Sequence, residues 1–175
     1  YTDMVRGHKY WTFISEELPL IVRSLFPVSD RREDTFVAGL SMGGYGAFKL
    51  ALRHPERFAA AASLSGVTDI ANRAEKEASW HDEVPLIFGG LDKIRGTDND
   101  LLHLLGRMKS HDGAKPRFFQ SCGKDDFLYE DNLTFRNKAR SAGLDLVYEE
   151  HPGGHGWDYR DTHIQRVLAW MDGFR

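Results

Sequence analysis

The 175-residue chain predicts an α/β fold, a mostly parallel sheet flanked by helices, and three observations carry that prediction. Short apolar runs near 36–40, 58–64, 117–122 and 144–150 alternate with longer stretches of helical periodicity. The run at 58–64 is Ala-rich and uninterrupted, as expected of a strand buried on both faces. The run at 36–40 ends in Gly39-Leu40-Ser41-Met42-Gly43 and passes directly into a helical pattern, so a sharp turn must join strand to helix.

Taken in order, residues 1–9 are polar and read as a loop. Trp11, Ile14, Leu18, Ile21, Val22 and Leu25 then recur at helical spacing to about Phe26. Pro19 removes a backbone donor inside this helix and should kink or restart it. After the turn at Ser41, Tyr45, Phe48, Leu50, Ala51 and Leu52 suit a buried helix that stops at His54-Pro55. The small residues Gly43, Gly44, Gly46 and Ala47 let that helix lie close to the sheet. Residues 67–115 are long for a connection between strands, so they are expected to fold locally as a helical insertion or lid within one domain spanning 1–175. Helices are expected over Asp69–Trp80 and Asp98–Met108. A strand at Arg117–Cys122 leads into a turn at Gly123-Lys124-Asp125-Asp126. A helix at Glu130–Ala142 stops at Gly143, and an outer strand follows at Leu144–Glu150. The loop Pro152-Gly153-Gly154-His155-Gly156 precedes a last helix from about Tyr159 to Met171.

Composition excludes several classes of function. With 41% hydrophobic and 28% charged residues and a net charge of -3, the chain has no electrostatic footprint for nucleic acid or an anionic membrane surface. No apolar run approaches the roughly 20 residues that span a bilayer. Cys122 is the only cysteine, which rules out an intrachain disulfide and favours a reducing, cytoplasmic setting. The chain starts at Tyr1 in what reads as mid-domain sequence, so a further N-terminal segment is expected. A homo-oligomer is left open.

The chemistry centres on Ser41. In a G-x-S-x-G elbow the glycines accommodate a tight, strained turn, and the serine oxygen stands above the N-terminus of the following helix. A serine hydroxyl attacks well only when a base takes its proton, usually a histidine oriented by a carboxylate. In an α/β-hydrolase, acid and base follow the serine in that order, on loops after later strands. Asp125 and Asp126 follow the 117–122 strand, and the Gly-x-x-Asp spacing from Gly123 favours Asp126. Either could instead serve an Asx turn or the start of the next helix. His155, between glycines, is the candidate base, and His151 is the weaker alternative. The backbone N–H of Met42 is the expected oxyanion donor, the second donor normally coming from a loop after an earlier strand. His151, His155 and Asp158 invite a metal reading, but the histidine pair falls across proline and glycine rather than a helix face, so no metal site is expected. Asp98-Asn99-Asp100 lacks the glycine and distal glutamate of a calcium loop and reads as a helix cap. Trp157 is a candidate substrate contact.

The run Gly39-Leu40-Ser41-Met42-Gly43-Gly44-Tyr45-Gly46-Ala47, followed by His54-Pro55-Glu56-Arg57-Phe58, resembles the esterase D family of α/β-hydrolases. The tributyrin-esterase, or short-chain acetylesterase, branch is the most similar. Tyr1-Thr2-Asp3-Met4, Tyr10-Trp11, Glu16-Glu17-Leu18-Pro19, Phe127-Leu128-Tyr129-Glu130-Asp131-Asn132 and Pro152-Gly153-Gly154-His155 with Trp157 extend the likeness over nearly the whole chain. Asp125 departs from it. The resemblance implies Ser41, Asp126 and His155 as nucleophile, acid and base. It implies an α/β-hydrolase fold lacking its N-terminal strands, and cofactor-free hydrolysis of short acyl esters as small-molecule substrates. Hydrolysis of a thioester such as S-formylglutathione and acyl transfer to a sugar use the same groups. A non-catalytic binding module on this fold is the competing class.

Overall fold

The computed structural model describes residues 1–174, and the chain forms a four-stranded, wholly parallel sheet in the order β1-β2-β3-β4. The strands are β1 (Phe36–Leu40), β2 (Ala60–Leu64), β3 (Arg117–Gly123) and β4 (Leu146–His151). The helices are α1 (Tyr10–Thr12), α2 (Leu18–Leu25), α3 (Met42–Arg53), α4 (Ile70–Lys76), α5 (Val84–Ile87), α6 (Leu101–Lys109), α7 (Tyr129–Ser141) and α8 (Trp157–Asp172).

The sheet is covered on both faces, which is why its central strands read as unbroken apolar runs. All five residues of β2 are buried. Its alternate side chains enter different cores, Ala61 with Phe48, Phe118 and Phe135 on one side, Ala62 and Leu64 with Phe119 and Val167 on the other. The first core is sealed by aromatic contact, Phe48 of α3 stacking on Phe135 of α7 at 4.9 Å and meeting Phe118 edge-on at 5.4 Å. The second lies beneath α8.

The segment 67–115 is helical in pieces, as its length requires. Asp69 caps α4 by accepting from Asn72 N, and the helix stops at Glu77 before a 3-10 turn. Asp100 caps α6 through Leu102 N and His103 N, so the acidic run at 98–100 is a helix start. Leu101, Leu104, Leu105 and Met108 form its buried stripe.

The N-terminal helical stretch departs from expectation in two ways. Between α1 and α2 lies a π-helical turn, Phe13–Glu17, immediately before Pro19 at the start of α2. Widening the turn there accommodates the missing proline N–H. The expected apolar face is also mostly not in the core: Trp11 is buried, but Leu18, Ile21 and Leu25 are exposed and α2 buries no residue. Helical periodicity predicts the stripe, not what covers it.

Candidate active site

The site is assembled at the C-terminal ends of β1, β3 and β4, where the loops leaving strands of one parallel sheet converge. Ser41 follows β1 directly and has φ 54° and ψ -117°, a conformation that L-residues occupy only under constraint. The constraint is visible in the packing. A Cβ on Gly39 would stand 2.2 Å from the backbone C and O of Gly43, so strand end and helix start approach too closely for any side chain at 39. A Cβ on Gly43 would meet nothing nearer than the Tyr1 hydroxyl at 4.0 Å. Collision therefore explains the first glycine and not the second. Gly44 carries the close packing of α3 on the sheet, since a Cβ there would lie 2.4 Å from Ser63 Oγ. Ser41 N donates to Leu64 O of β2, and Ser41 O accepts from Val67 N, which fixes the elbow to its neighbour strand.

Ser41 Oγ lies 2.9 Å from His155 Nε2, and His155 Nδ1 lies 2.8 Å from Asp126 Oδ2. Three residues drawn from positions 41, 126 and 155 thus form one continuous hydrogen-bonded line. Asp126 is buried, with its side chain fully covered, and its other oxygen accepts from Leu128 N at 2.9 Å. It consequently serves a local turn and the histidine together. With the carboxylate accepting at Nδ1–H, Nε2 is left with its lone pair toward Ser41. Met42 is the first residue of α3, directly after Ser41, and has no carbonyl four residues back within the helix for its N–H.

Asp125 has a separate task. Its Oδ2 accepts from Gly153 N at 3.0 Å, while its own N–H donates to Gly153 O at 3.0 Å. These bonds tie the loop bearing Asp126 to the loop bearing His155. A Cβ on Gly123 would lie 2.1 Å from Gly153 O, so the two loops touch backbone to backbone. His151 does not approach the serine; it ends β4 and stacks on His163 at 4.5 Å.

A cavity of about 480 Å³ opens beside Ser41 and Met42, walled by Ile70, Trp80, Ile87 and Phe127 among others. Much of its wall comes from the segment 67–115. Trp157 is not among the lining residues: it is 71% exposed at the start of α8, over Arg160 at 5.5 Å. Trp157 therefore does not wall this cavity. Gly156 caps α8, and Trp157, the first residue of that helix, faces out.

Three contributors have no role assigned from the sequence. Phe127 packs its ring on His155 at 4.7 Å, and Arg73 lies over the same ring at 5.2 Å. Arg73 Nε donates to Asp131 Oδ2 at 2.6 Å, Nη1 donates to Glu77, and Nη2 donates to Phe127 O. Asn132, fully buried, donates from Nδ2 to Gly66 O and Leu128 O and accepts from Gln120 Nε2. Together they fasten the acid-bearing turn to α4, β3 and the end of β2. Adjacency to Asp126 could have flagged Phe127; nothing in the pattern points to Arg73. Cys122, buried beneath the site, has its thiol pushed up to about 12 by burial, then by the Asp126 charge, and is no nucleophile.

A strand–elbow–helix bearing a serine in line with a histidine and a buried aspartate, on a parallel α/β sheet, has the architecture of the α/β-hydrolases. A family model described as "Putative esterase" matches residues 2–171, and the chain belongs to that esterase family. It is 33% identical to an acetyl esterase of Caldicellulosiruptor saccharolyticus over 98% of this chain and 67% of that protein. Among solved structures, the S-formylglutathione hydrolase FrmB of Staphylococcus aureus superposes with a TM-score of 0.85 at 38% identity, over 98% of this chain and 66% of that one. The fluorophosphonate-binding serine hydrolase FphF of S. aureus gives 0.88 at 37% identity, with the same coverage. The chain therefore spans about two thirds of the length of these relatives. No helix among the described residues is long and apolar enough to cross a membrane.

Proposed function

We propose that the protein is a serine carboxylesterase that hydrolyses short-chain acyl esters through an acyl-enzyme, with Ser41 as nucleophile, His155 as base and Asp126 as the orienting acid. The observation that carries the reading is the unbroken line from Ser41 Oγ through the His155 ring to Asp126, at 2.9 and 2.8 Å. As Ser41 Oγ bonds to the ester carbonyl carbon, its proton passes to His155 Nε2 and the carbonyl π pair moves onto oxygen. The Met42 N–H donates to that oxyanion. Collapse breaks the bond to the alcohol oxygen, which takes the proton from His155, and leaves an acyl-Ser41 ester. Water then repeats the sequence, giving its proton to His155 and releasing the carboxylic acid. Asp126 stays ionised throughout, stabilising the imidazolium and holding its tautomer. No metal or cofactor has a role in these steps.

The acyl chain is assigned to the cavity beside Ser41, with the 67–115 insertion as its wall. The short-chain preference follows the similarity to an acetyl esterase rather than the cavity size, since about 480 Å³ holds far more than an acetyl group. Turnover of p-nitrophenyl acetate, butyrate and octanoate by wild type and Ser41→Ala tests both statements. Ser41→Ala should lose at least about 10³-fold in kcat; unchanged turnover removes the nucleophile assignment. Octanoate turning over faster than acetate refutes the short-chain preference alone.

A thioester substrate is the second reading, favoured by the likeness to FrmB, named as an S-formylglutathione hydrolase. Comparing S-formylglutathione with a sugar acetate separates the two. Failure of a fluorophosphonate probe to label Ser41 would favour a binding module instead.

A further inference from the structure

A second cluster of ligand-type side chains lies behind the site, on the other side of the loop that carries His155. Glu149 and His151 are two apart on β4 and share one face of the strand, and His163 of α8 packs against them. One metal-ligating atom from each of the three lies within 4.8 Å of the others. His163 is only 7% exposed, yet its Nδ1 is buried with no hydrogen-bond partner. His151 Nε2 is likewise covered and lacks a hydrogen bond, standing 3.5 Å from Glu149 Oε2. Buried imidazole nitrogens normally find partners; here His163 Nδ1 has none, and His151 Nε2 has only the long approach to the Glu149 carboxylate.

We propose that Glu149, His151 and His163 bind a borderline divalent cation of the zinc class, clipping the end of β4 to α8 across the loop that carries His155. Two imidazoles and one carboxylate suit zinc, with a fourth position left to water. Calcium and magnesium favour all-oxygen sites and fit poorly. In a tetrahedral zinc site neighbouring ligand atoms stand about 3.3–3.5 Å apart. The Glu149–His151 separation of 3.5 Å already meets that spacing, and the His163 nitrogen lies within 4.8 Å of both. The sequence gives no reason to expect a metal at His151 with His155 and Asp158; in the fold Glu149 and His163 stand beside His151 instead.

One group opposes the cation. Arg166 Nε and Nη2 donate to both Glu149 oxygens at 2.5 and 2.6 Å. Its side chain is about half exposed, so it can swing into solvent when the carboxylate takes a metal bond. Arg166 and the cation therefore compete for Glu149, and this competition gives the proposal a distinctive signature.

Isothermal titration of the purified protein with zinc chloride tests it. One equivalent should bind, and His151→Gln and His163→Gln should each weaken it at least about tenfold. Binding should survive His155→Ala, which excludes coordination by the proposed catalytic histidine. Arg166→Ala should tighten it, an effect that a purely structural histidine stack does not produce. His151 is partly exposed, so its variant remains informative if His163→Gln folds poorly, with far-ultraviolet circular dichroism as the check. Absence of saturable binding to both wild type and Arg166→Ala overturns the proposal, as does undiminished binding to folded His151→Gln.

Discussion

Replacing Arg73 by alanine should loosen the acid-bearing turn from the rest of the molecule, and the size of the effect can be worked from the contacts. Arg73 and Asp131 form an ion pair at 2.6 Å with side chains only 13% and 6% exposed. Removing the arginine leaves Asp131 with a hydrogen bond from Asn72 Nδ2 at 2.7 Å and no other ion-pair partner among the described residues. Breaking one side of a buried pair costs about 3–5 kcal/mol, chiefly because the remaining charge is desolvated without compensation. The Phe127 carbonyl also loses its donor, and that residue adjoins Asp126 and packs on His155. Urea unfolding should show a loss in the range of about 3–5 kcal/mol, equivalent to a fall in Tm of roughly 10–15 °C for a chain of this size. The double variant Arg73→Met/Asp131→Leu is the decisive comparison. It removes both charges, so it should recover most of the stability lost in the single variant. Its kcat should nevertheless stay below wild type, because the Phe127 carbonyl is still released. A loss under about 1 kcal/mol in Arg73→Ala, typical of an exposed pair, would refute the claim that this pair is a buried brace. A double variant no more stable than the single would refute the desolvation argument.

Three further outcomes follow from the same geometry. Asp126→Asn should lower kcat on p-nitrophenyl acetate by about 10³–10⁴, since the amide no longer holds the imidazole tautomer, whereas Asp125→Asn should cost less than about tenfold; comparable losses in both would undo the assignment of the acid. Gly123→Ala places a Cβ 2.1 Å from Gly153 O, so the loops must separate, and native-state hydrogen exchange at residues 124 and 125 should speed up relative to wild type; unchanged protection would mean that the contact is dispensable. Burial lowers the Lys49 ammonium from 10.5 to about 7, with Arg53 adding to the effect and Asp98 and Asp3 opposing it. A depressed folded value means that its contribution to stability is fully present above 10.5 and is lost as pH falls through about 7. Unfolding free energy should therefore rise between pH 7 and 10 by an amount of order 2–4 kcal/mol that Lys49→Met abolishes. The slope is the readout, because the variant also strips partners from Tyr1 O, Thr2 Oγ1 and Asn99 Oδ1; an identical slope in wild type and variant would count against the assignment.

The division between what was legible in the sequence and what was not follows the range of the forces involved. The elbow is local: strand, strained Ser41 and helix lie within 36–53, and Gly39 announces the close approach it permits. The turn that presents Asp126 is local as well, its N–H closing on Gly123 O at 3.2 Å, so three-residue spacing was enough to favour it over Asp125. Convergence of the three loops required only a parallel sheet, and alternating runs imply one. Arg73 and Asp131 are different. They lie 58 positions apart, and their pairing depends on how α4 docks beside α7, which no periodicity encodes. The same limit explains His163, whose helical position gives no hint that α8 lays it against the end of β4. It explains the exposed stripe of α2 too: a repeat of Leu18, Ile21 and Leu25 fixes which side is apolar, while burial depends on a surface supplied from elsewhere. The candidate site residues are thus readable where the backbone must be strained or tightly turned to present them. Residues that hold those turns in place are set by packing between distant elements, and the Arg73–Asp131 variants measure how much the site depends on them.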